Sequence, residues 1–330
     1  MQISNVILTC VLFQNLHFCE SLFSPLFREF LREKFGGAWE KRLTREDIAK
    51  LRRDPSFGGG HHTAGHSVQK TPIIFAPCWQ CTTDFFNPIV KYLRENNYTD
   101  SEMYGTTVGE IKNGRLQQIG YKCEFVENFR QLIKAVMAFT DSNTVHILAF
   151  SYGGALTRKA ILGGRCVDKD VDLGPPLTEH IDVYLSVAGV QQGALFCENV
   201  NENQLTACNM LNGMKCDSRF LEDINNAKHY EGKRPVIIET TADEMVGIRV
   251  CGRFASQFAG AEIIRVNKLS HIDVLMGTMD VQLGIFEHVQ FDYGGWLSLT
   301  ADNFTFYMVI MSEAAILICG CLYYTQMRRS

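Results

Sequence analysis

The sequence predicts an α/β fold: a mostly parallel central sheet flanked by helices. Three observations predict it. From Pro72 onward, short apolar runs alternate with helical patterns. The runs are rich in β-branched and aliphatic residues, as strands buried on both faces must be. One of them, TVHILAF, passes through Ser151 into a helix-like stretch, with Gly153 and Gly154 just after the serine.

Taken in order, residues 1–21 (MQISNVILTCVLFQNLHFCES) hold an apolar core from Val6 to Phe13 and small residues near Cys19 and Ser21. They are expected to be a secretory signal, although no Lys or Arg precedes the core; a buried N-terminal strand is the alternative. Residues 22–70 are expected to be a helical and loop segment. FREFLREKF and LTREDIAKLRRDP look helical, with Thr44 and Asp47 spaced like a capping pair, and Phe57 to His62 reads as a loop. His61, His62 and His66 invite a metal reading, but no regular element places them, so a polar loop is favoured.

Residues 71–300 are expected to form the main domain. PIIFAP, TVHILAF, HIDVYLSVAG, PVIIETT and AEIIRVN read as strands. FFNPIVKYLREN and FVENFRQLIKAVMAF read as helices, and in the second Phe129, Leu132, Ile133, Val136 and Phe139 share one face. Ala155 to Leu162 continues helically. Cys197 to Cys216 breaks the rhythm and suggests a disulfide-held excursion. Residues 304–324 (FTFYMVIMSEAAILICGCLYY) are long enough to cross a bilayer and precede Arg328-Arg329. Glu313 near the middle costs roughly 3 kcal/mol on insertion scales. A membrane span and a packed amphipathic terminal helix both stand, and the first would bring the domain to a lipid surface.

The chain of 330 residues is 46% hydrophobic, enough for a sizeable core. A net charge of −4 gives no electrostatic reason to expect a nucleic-acid partner. Of twelve cysteines, Cys10 and Cys19 fall in the leader and Cys319 and Cys321 in the tail. The remaining eight are Cys78, Cys81, Cys123, Cys166, Cys197, Cys208, Cys216 and Cys251, an even set that can pair in an oxidising compartment, in a connectivity spacing leaves open. Asn97-Tyr98-Thr99 and Asn303-Phe304-Thr305 are glycan acceptor tripeptides, a pattern common by chance. Cys78 and Cys81 form a C-x-x-C pair like that of thioredoxin-like oxidoreductases. That fold also needs a downstream proline loop, and no proline lies between Pro88 and Pro175; a second metal-ligand pair is equally lacking, so a structural disulfide is favoured.

A serine hydroxyl becomes a nucleophile only when a base takes its proton and a third group orients the base. Ala149-Phe150-Ser151-Tyr152-Gly153 matches the strand–turn–helix elbow that carries such a serine, with alanine in place of the first glycine. The bland alternative is a tight connection that happens to contain a serine. Chain order then asks for an acid and, last, a histidine. Asp243 follows PVIIETT, and His271, read as a loop residue, follows AEIIRVN. Carboxyl ends of parallel strands gather on one sheet edge, so Ser151, Asp243 and His271 are expected to meet there. His146 lies within a strand and is the worse base; His180, His229 and His288 follow no strand in the required place.

The elbow together with TRKAILGGRCVDKDVDLGPPLTEHIDVYLSVAGVQQGALFC, YGTTVGE, CEFVENFRQLIKAV, SRFLEDIN, YEGKRPVIIETTADEMVG and LSHIDVL resembles the class 2 lipases of the α/β-hydrolase superfamily, especially their nematode branch. The likeness spans roughly Phe57 to Val289. It implies a secreted enzyme that hydrolyses acylglycerol-like esters without a cofactor, with Ser151 as nucleophile, Asp243 as acid and His271 as base. It also implies an oxyanion hole built from the N–H groups of Trp79 and Tyr152. One departure stands out: Pro77 and Cys78 occupy the positions where the family has His-Gly. Reduced activity, a changed substrate or a binding protein that kept the fold are all consistent with such a change.

Overall fold

The structure, a computed structural model, describes residues 22–51, 53–117, 120–200 and 202–289. The expected signal, the 304–324 tail and Asn303 lie outside the described residues. Among the described residues no helix is long and apolar enough to cross a membrane.

The chain opens with α1 (Pro25–Phe35), α2 (Gly37–Thr44) and α3 (Glu46–Ala49), then β1 (Ser56–Phe57) and β2 (Ile73–Ala76). Next come α4 (Asn87–Glu95), β3 (Met103–Thr106), a hairpin of β4 (Glu110–Lys112) and β5 (Arg115–Gln117), α5 (Cys123–Thr140), β6 (Val145–Phe150) and α6 (Tyr152–Leu162). The second half holds β7 (Ile181–Val187), α7 (Arg219–Asn226), β8 (Arg234–Thr240), the short pair β9 (Arg249–Val250) and β10 (Arg253–Phe254), β11 (Glu262–Val266), α8 (His271–Met276) and α9 (Met279–Phe286).

Seven strands form one sheet in the order β1-β3-β2-β6-β7-β8-β11, parallel except for β1. The expected mostly parallel sheet flanked by helices is therefore present, and so is every strand read from the sequence. Their apolar runs are buried because helices cover both faces: Ile73–Ala76 and Val145–Phe150 are buried throughout. Phe129, Leu132, Ile133, Val136 and Phe139 of α5 all point into one core cluster, as their spacing requires. That cluster also takes Phe27 and Leu31 of α1, so residues 22–70 contribute both to the core and, through β1, to the sheet.

Three local expectations are corrected. Phe57, read as loop, pairs with Gly105 in the edge strand β1. Gly105 must lack a side chain, since a Cβ there would come within 2.5 Å of the Phe57 ring. Thr44 caps no helix; it is the last residue of α2, and Arg45 turns the chain in a left-handed conformation, φ 60°. His271 is the first residue of α8 rather than a loop residue, because the Ser270 hydroxyl accepts a hydrogen bond from the Asp273 N–H and starts the helix.

Candidate active site

Sheet order decides where a site can form. Connections leave β2 in one direction toward β3 and β1, and leave β6 in the other toward β7, β8 and β11, so the crevice outside the carboxyl ends of β2 and β6 is a topological switch point. Ser151 follows β6 at that crevice.

The serine sits at φ 55°, ψ −120°, a region costing a non-glycine residue about 1–3 kcal/mol. Its own backbone over-determines the turn. Ser151 N–H donates to the Val187 carbonyl at 3.0 Å, and its carbonyl accepts from Gly154 and Val190, each at 3.0 Å. Small residues are steric necessities here: a Cβ on Gly153 would lie 2.5 Å from the Ala76 carbonyl oxygen, and one on Gly154 3.0 Å from the Gly189 Cα. Although Ser151 is the N-cap of α6, its side chain makes no capping bond. Its Oγ instead lies 2.9 Å from His271 Nε2.

His271 and Asp243 arrive from the ends of β11 and β8. His271 Nδ1 is 2.9 Å from Asp243 Oδ2, while Asp243 Oδ1 accepts from the N–H groups of Met245 at 2.9 Å and Val246 at 2.7 Å. Burial works against the Asp243 charge, but the hydrogen bond and attraction of His271 and these backbone donors hold its carboxyl below the usual aspartate value. The Thr240 hydroxyl donates to the Leu269 carbonyl at 2.7 Å and ties the end of β8 to the loop carrying His271. All three side chains are buried, Ser151 being 7% exposed. Sequence reasoning missed Glu244, whose Oε2 accepts the His271 backbone N–H at 2.9 Å and fixes the start of α8. A carboxylate next to the acid carries no distinguishing signal in the sequence.

The structure brings both expected oxyanion residues to this edge. Tyr152 is the first residue of α6, where backbone N–H groups have no partner within the helix. Its ring is fixed by stacking on Tyr121 at 4.4 Å and its hydroxyl by donating to the Gly120 carbonyl at 2.9 Å. Trp79 stands in a turn closed by the Cys81 N–H donating to the Cys78 carbonyl at 3.2 Å and by a Cys78–Cys81 disulfide; its ring stacks on Phe196 at 5.6 Å. Cys81 leads into a 3-10 turn, Thr83–Phe86, which runs directly into α4.

The remaining cysteines pair as Cys123–Cys166, Cys197–Cys208 and Cys216–Cys251. The excursion from Cys197 to Cys216 is thus held by one internal bridge and one to Cys251. His61, His62 and His66 form no metal-sized cluster among the described residues; His62 Nε2 instead bonds the carbonyls of His66 and Phe139. His146 lies at the opposite end of β6 from Ser151, roughly 16 Å away for a strand rise of about 3.3 Å per residue. Burial pushes its imidazole down to about 4, with His288 acting the same way and Asp182 opposing.

A model of the lipase (class 2) family matches residues 70–284. Among solved structures, the mature form of a Bacillus licheniformis lipase is similar at 9% identity and a TM-score of 0.48, over 70% of this chain and 96% of that one. A monoacylglycerol lipase of Paleococcus ferrophilus is similar at 10% identity and 0.44, over 71% and 98%. An α/β serine hydrolase homologue from Coxiella burnetii is similar at 13% and 0.40, over 69% and 88%. None of the curated proteins matches the chain in sequence.

Proposed function

The chain belongs to the class 2 lipase family, and from that premise we propose that it is a secreted serine ester hydrolase acting on acylglycerol-like lipids, with Ser151 as nucleophile, His271 as general base and acid, and Asp243 as the group that orients and stabilises the imidazolium. One observation carries the reading: an unbroken chain of hydrogen-bond contacts, Ser151 Oγ to His271 Nε2 and His271 Nδ1 to Asp243 Oδ2, each 2.9 Å.

In the proposed cycle, Oγ attacks the ester carbonyl carbon as its proton passes to His271 Nε2. The oxyanion is received by the Trp79 and Tyr152 N–H groups. Collapse expels the alcohol, which takes the proton from His271, and leaves an acyl group on Ser151. Water then attacks that acyl carbon, giving its proton to His271, and the carboxylic acid leaves as the proton returns to Oγ.

Lipid as substrate is supported by the rim of the site. Met245, next but one to Asp243, is 39% exposed, Ile272 beside His271 is 44% exposed, and Leu195, hydrogen-bonded to Val246, is 40% exposed. Apolar side chains presented to solvent round a catalytic crevice suit a lipid surface. Four disulfides fit an oxidising compartment. The excursion from Cys197 to Cys216 is proposed to border the acyl pocket, since Phe196 stacks on Trp79.

A second reading has its own observation. Pro77 and Cys78 replace the expected His-Gly, and the Cβ of Cys78 restricts backbone angles that a glycine would allow; a hydrolase-fold binding protein with little turnover is the alternative. Labelling by a fluorophosphonate probe tests both. Covalent labelling confined to Ser151, lost in Ser151→Ala, with hydrolysis of a short-chain aryl ester, is expected. Labelling without turnover favours the binding protein, and undiminished turnover in Ser151→Ala rejects the catalytic assignment.

A further inference from the structure

At the far end of the sheet from Ser151 stands a second cluster that the ester chemistry does not use. β6 and β7 start side by side, Val145 opposite Ile181, but pairing resumes with Ile147 opposite Tyr184, so β7 carries one extra residue there. A bulge of this kind re-aims side chains. Here it accompanies an Asp182 carboxylate, on β7, that faces His146, on β6. The end of α9 closes over both: the Phe286 ring lies along the His146 ring at 5.3 Å, and His288, turned by φ 55°, brings Nε2 to 2.9 Å from Asp182 Oδ2.

His146 is 2% exposed, and its Nδ1 is buried without a hydrogen-bond partner in the protein. Asp182 Oδ2, 3.7 Å away, is too far to serve as one. A buried ring nitrogen left without a partner calls for a ligand that accepts its lone pair.

We propose that His146 Nδ1, Asp182 Oδ2 and His288 Nε2 form a binding site for a divalent transition-metal ion of the zinc type, open on its fourth side to solvent. One ligand atom from each of the three residues lies within 4.8 Å of the other two. Ligand atoms sharing one tetrahedral Zn²⁺ at about 2.0–2.1 Å are about 3.3 Å apart, and the two measured spacings to Asp182 Oδ2, 2.9 and 3.7 Å, bracket that figure. The half-exposed His288, on the chain end leaving α9, is the ligand free to adjust. Two imidazoles and one carboxylate are a donor set that suits Zn²⁺ rather than Mg²⁺ or Ca²⁺. A cleft of about 220 Å³ lined by His146, His288 and Lys70 leaves room for a bound water as the fourth ligand. The Lys70 ammonium, which would repel a cation, is held by Glu287 at 2.6 Å. Because the cluster joins the starts of β6 and β7 to the end of α9, the ion would fasten that helix to the sheet, remote from the ester site.

The test is a titration of the chelator-stripped, untagged, disulfide-intact full chain with Zn²⁺ against a chromophoric competitor. One equivalent is expected to bind at micromolar or better affinity. At a hundredfold excess over Kd the melting temperature should rise by about 5 °C, with aryl-ester turnover unchanged. Co²⁺ in its place should give visible d–d absorption of a four-coordinate site. Exposed His288→Ala and, independently, Asp182→Asn should each weaken binding at least tenfold and abolish the thermal shift. No saturable binding, or binding that either substitution leaves unchanged, overturns the site.

Discussion

Asp243 Oδ2 and His271 Nδ1 are 2.9 Å apart although 28 residues separate them in the chain. Each arrives at the contact from a different strand end, and each is anchored by its own backbone bonds: Met245 and Val246 on the aspartate, Glu244 under the histidine. Asp243→Asn keeps this geometry but offers His271 an amide in place of a charge. With the proposed roles, kcat for an aryl ester should fall roughly 10³–10⁴-fold while the protein stays folded. A loss below tenfold in steady-state kinetics would remove Asp243 from the chemistry.

The same aspartate sets a pH dependence. Its carboxyl titrates lower in the folded protein than its ordinary value of 3.8, so the unfolded chain binds the proton first. The stability it contributes is whole above 3.8 and is lost as pH falls through the folded value. Melting curves of wild type and Asp243→Asn should therefore be well separated near neutrality and converge in strong acid. A separation that stays constant on acidification would contradict this.

Gly153→Ala reverses a familiar sign. In a helix this change ordinarily adds about 1 kcal/mol. Here the new Cβ would stand 2.5 Å from the Ala76 carbonyl oxygen at the end of β2. A loss of about 1–3 kcal/mol is expected instead, with lowered turnover because the elbow and the Trp79 turn are pushed apart. Gly37→Ala, with nothing within 4 Å of the added carbon, is the control that should be neutral or stabilising.

Two disulfides should separate stability from activity. Loop-closure entropy assigns about 4 kcal/mol to Cys123–Cys166, 43 residues apart, and about 2 kcal/mol to Cys78–Cys81, three apart. The short bridge, however, closes the turn that holds Trp79. The double serine variant of Cys78 and Cys81 should lose more kcat and less melting temperature than that of Cys123 and Cys166. Unchanged kcat in the first would show that its bridge does not hold the oxyanion turn.

Arg158 and Glu231 form an ion pair at 2.9 Å with both side chains 1% exposed, and Arg158 also donates to Asn225 at 2.7 Å and to the Ile224 carbonyl at 2.9 Å. Glu231→Gln strands a buried guanidinium and should cost about 3–5 kcal/mol, read from denaturant unfolding. A cost under 1 kcal/mol would mean the charge is compensated by its other partners alone.

Much of this architecture was legible from pattern. Buried parallel strands are apolar throughout, so β2, β6, β7, β8 and β11 announce themselves, and chain order then leads from Ser151 to Asp243 and His271. β1 and β3 do not, because they are short and Gly105 exists to pass beneath Phe57, a contact across 48 residues of sequence. The start of α8 was written locally, in Ser270 and Asp273 three residues apart, but reads equally as a loop. Cysteine spacing carries no information about partners. Arg158 and Lys159 of α6 are both buried, since Glu231 and Asp223 arrive from far along the chain.

The three side chains proposed for the chemistry come from the ends of β6, β8 and β11, with the imidazole supplied after the outermost strand, β11. A nascent chain that has emerged only as far as Asp243 already holds the hydroxyl and the carboxylate but lacks the imidazole that must take the serine proton and hand it to the leaving group. Under the proposed roles, the site stays incomplete until β11 and the turn into α8 have joined the sheet.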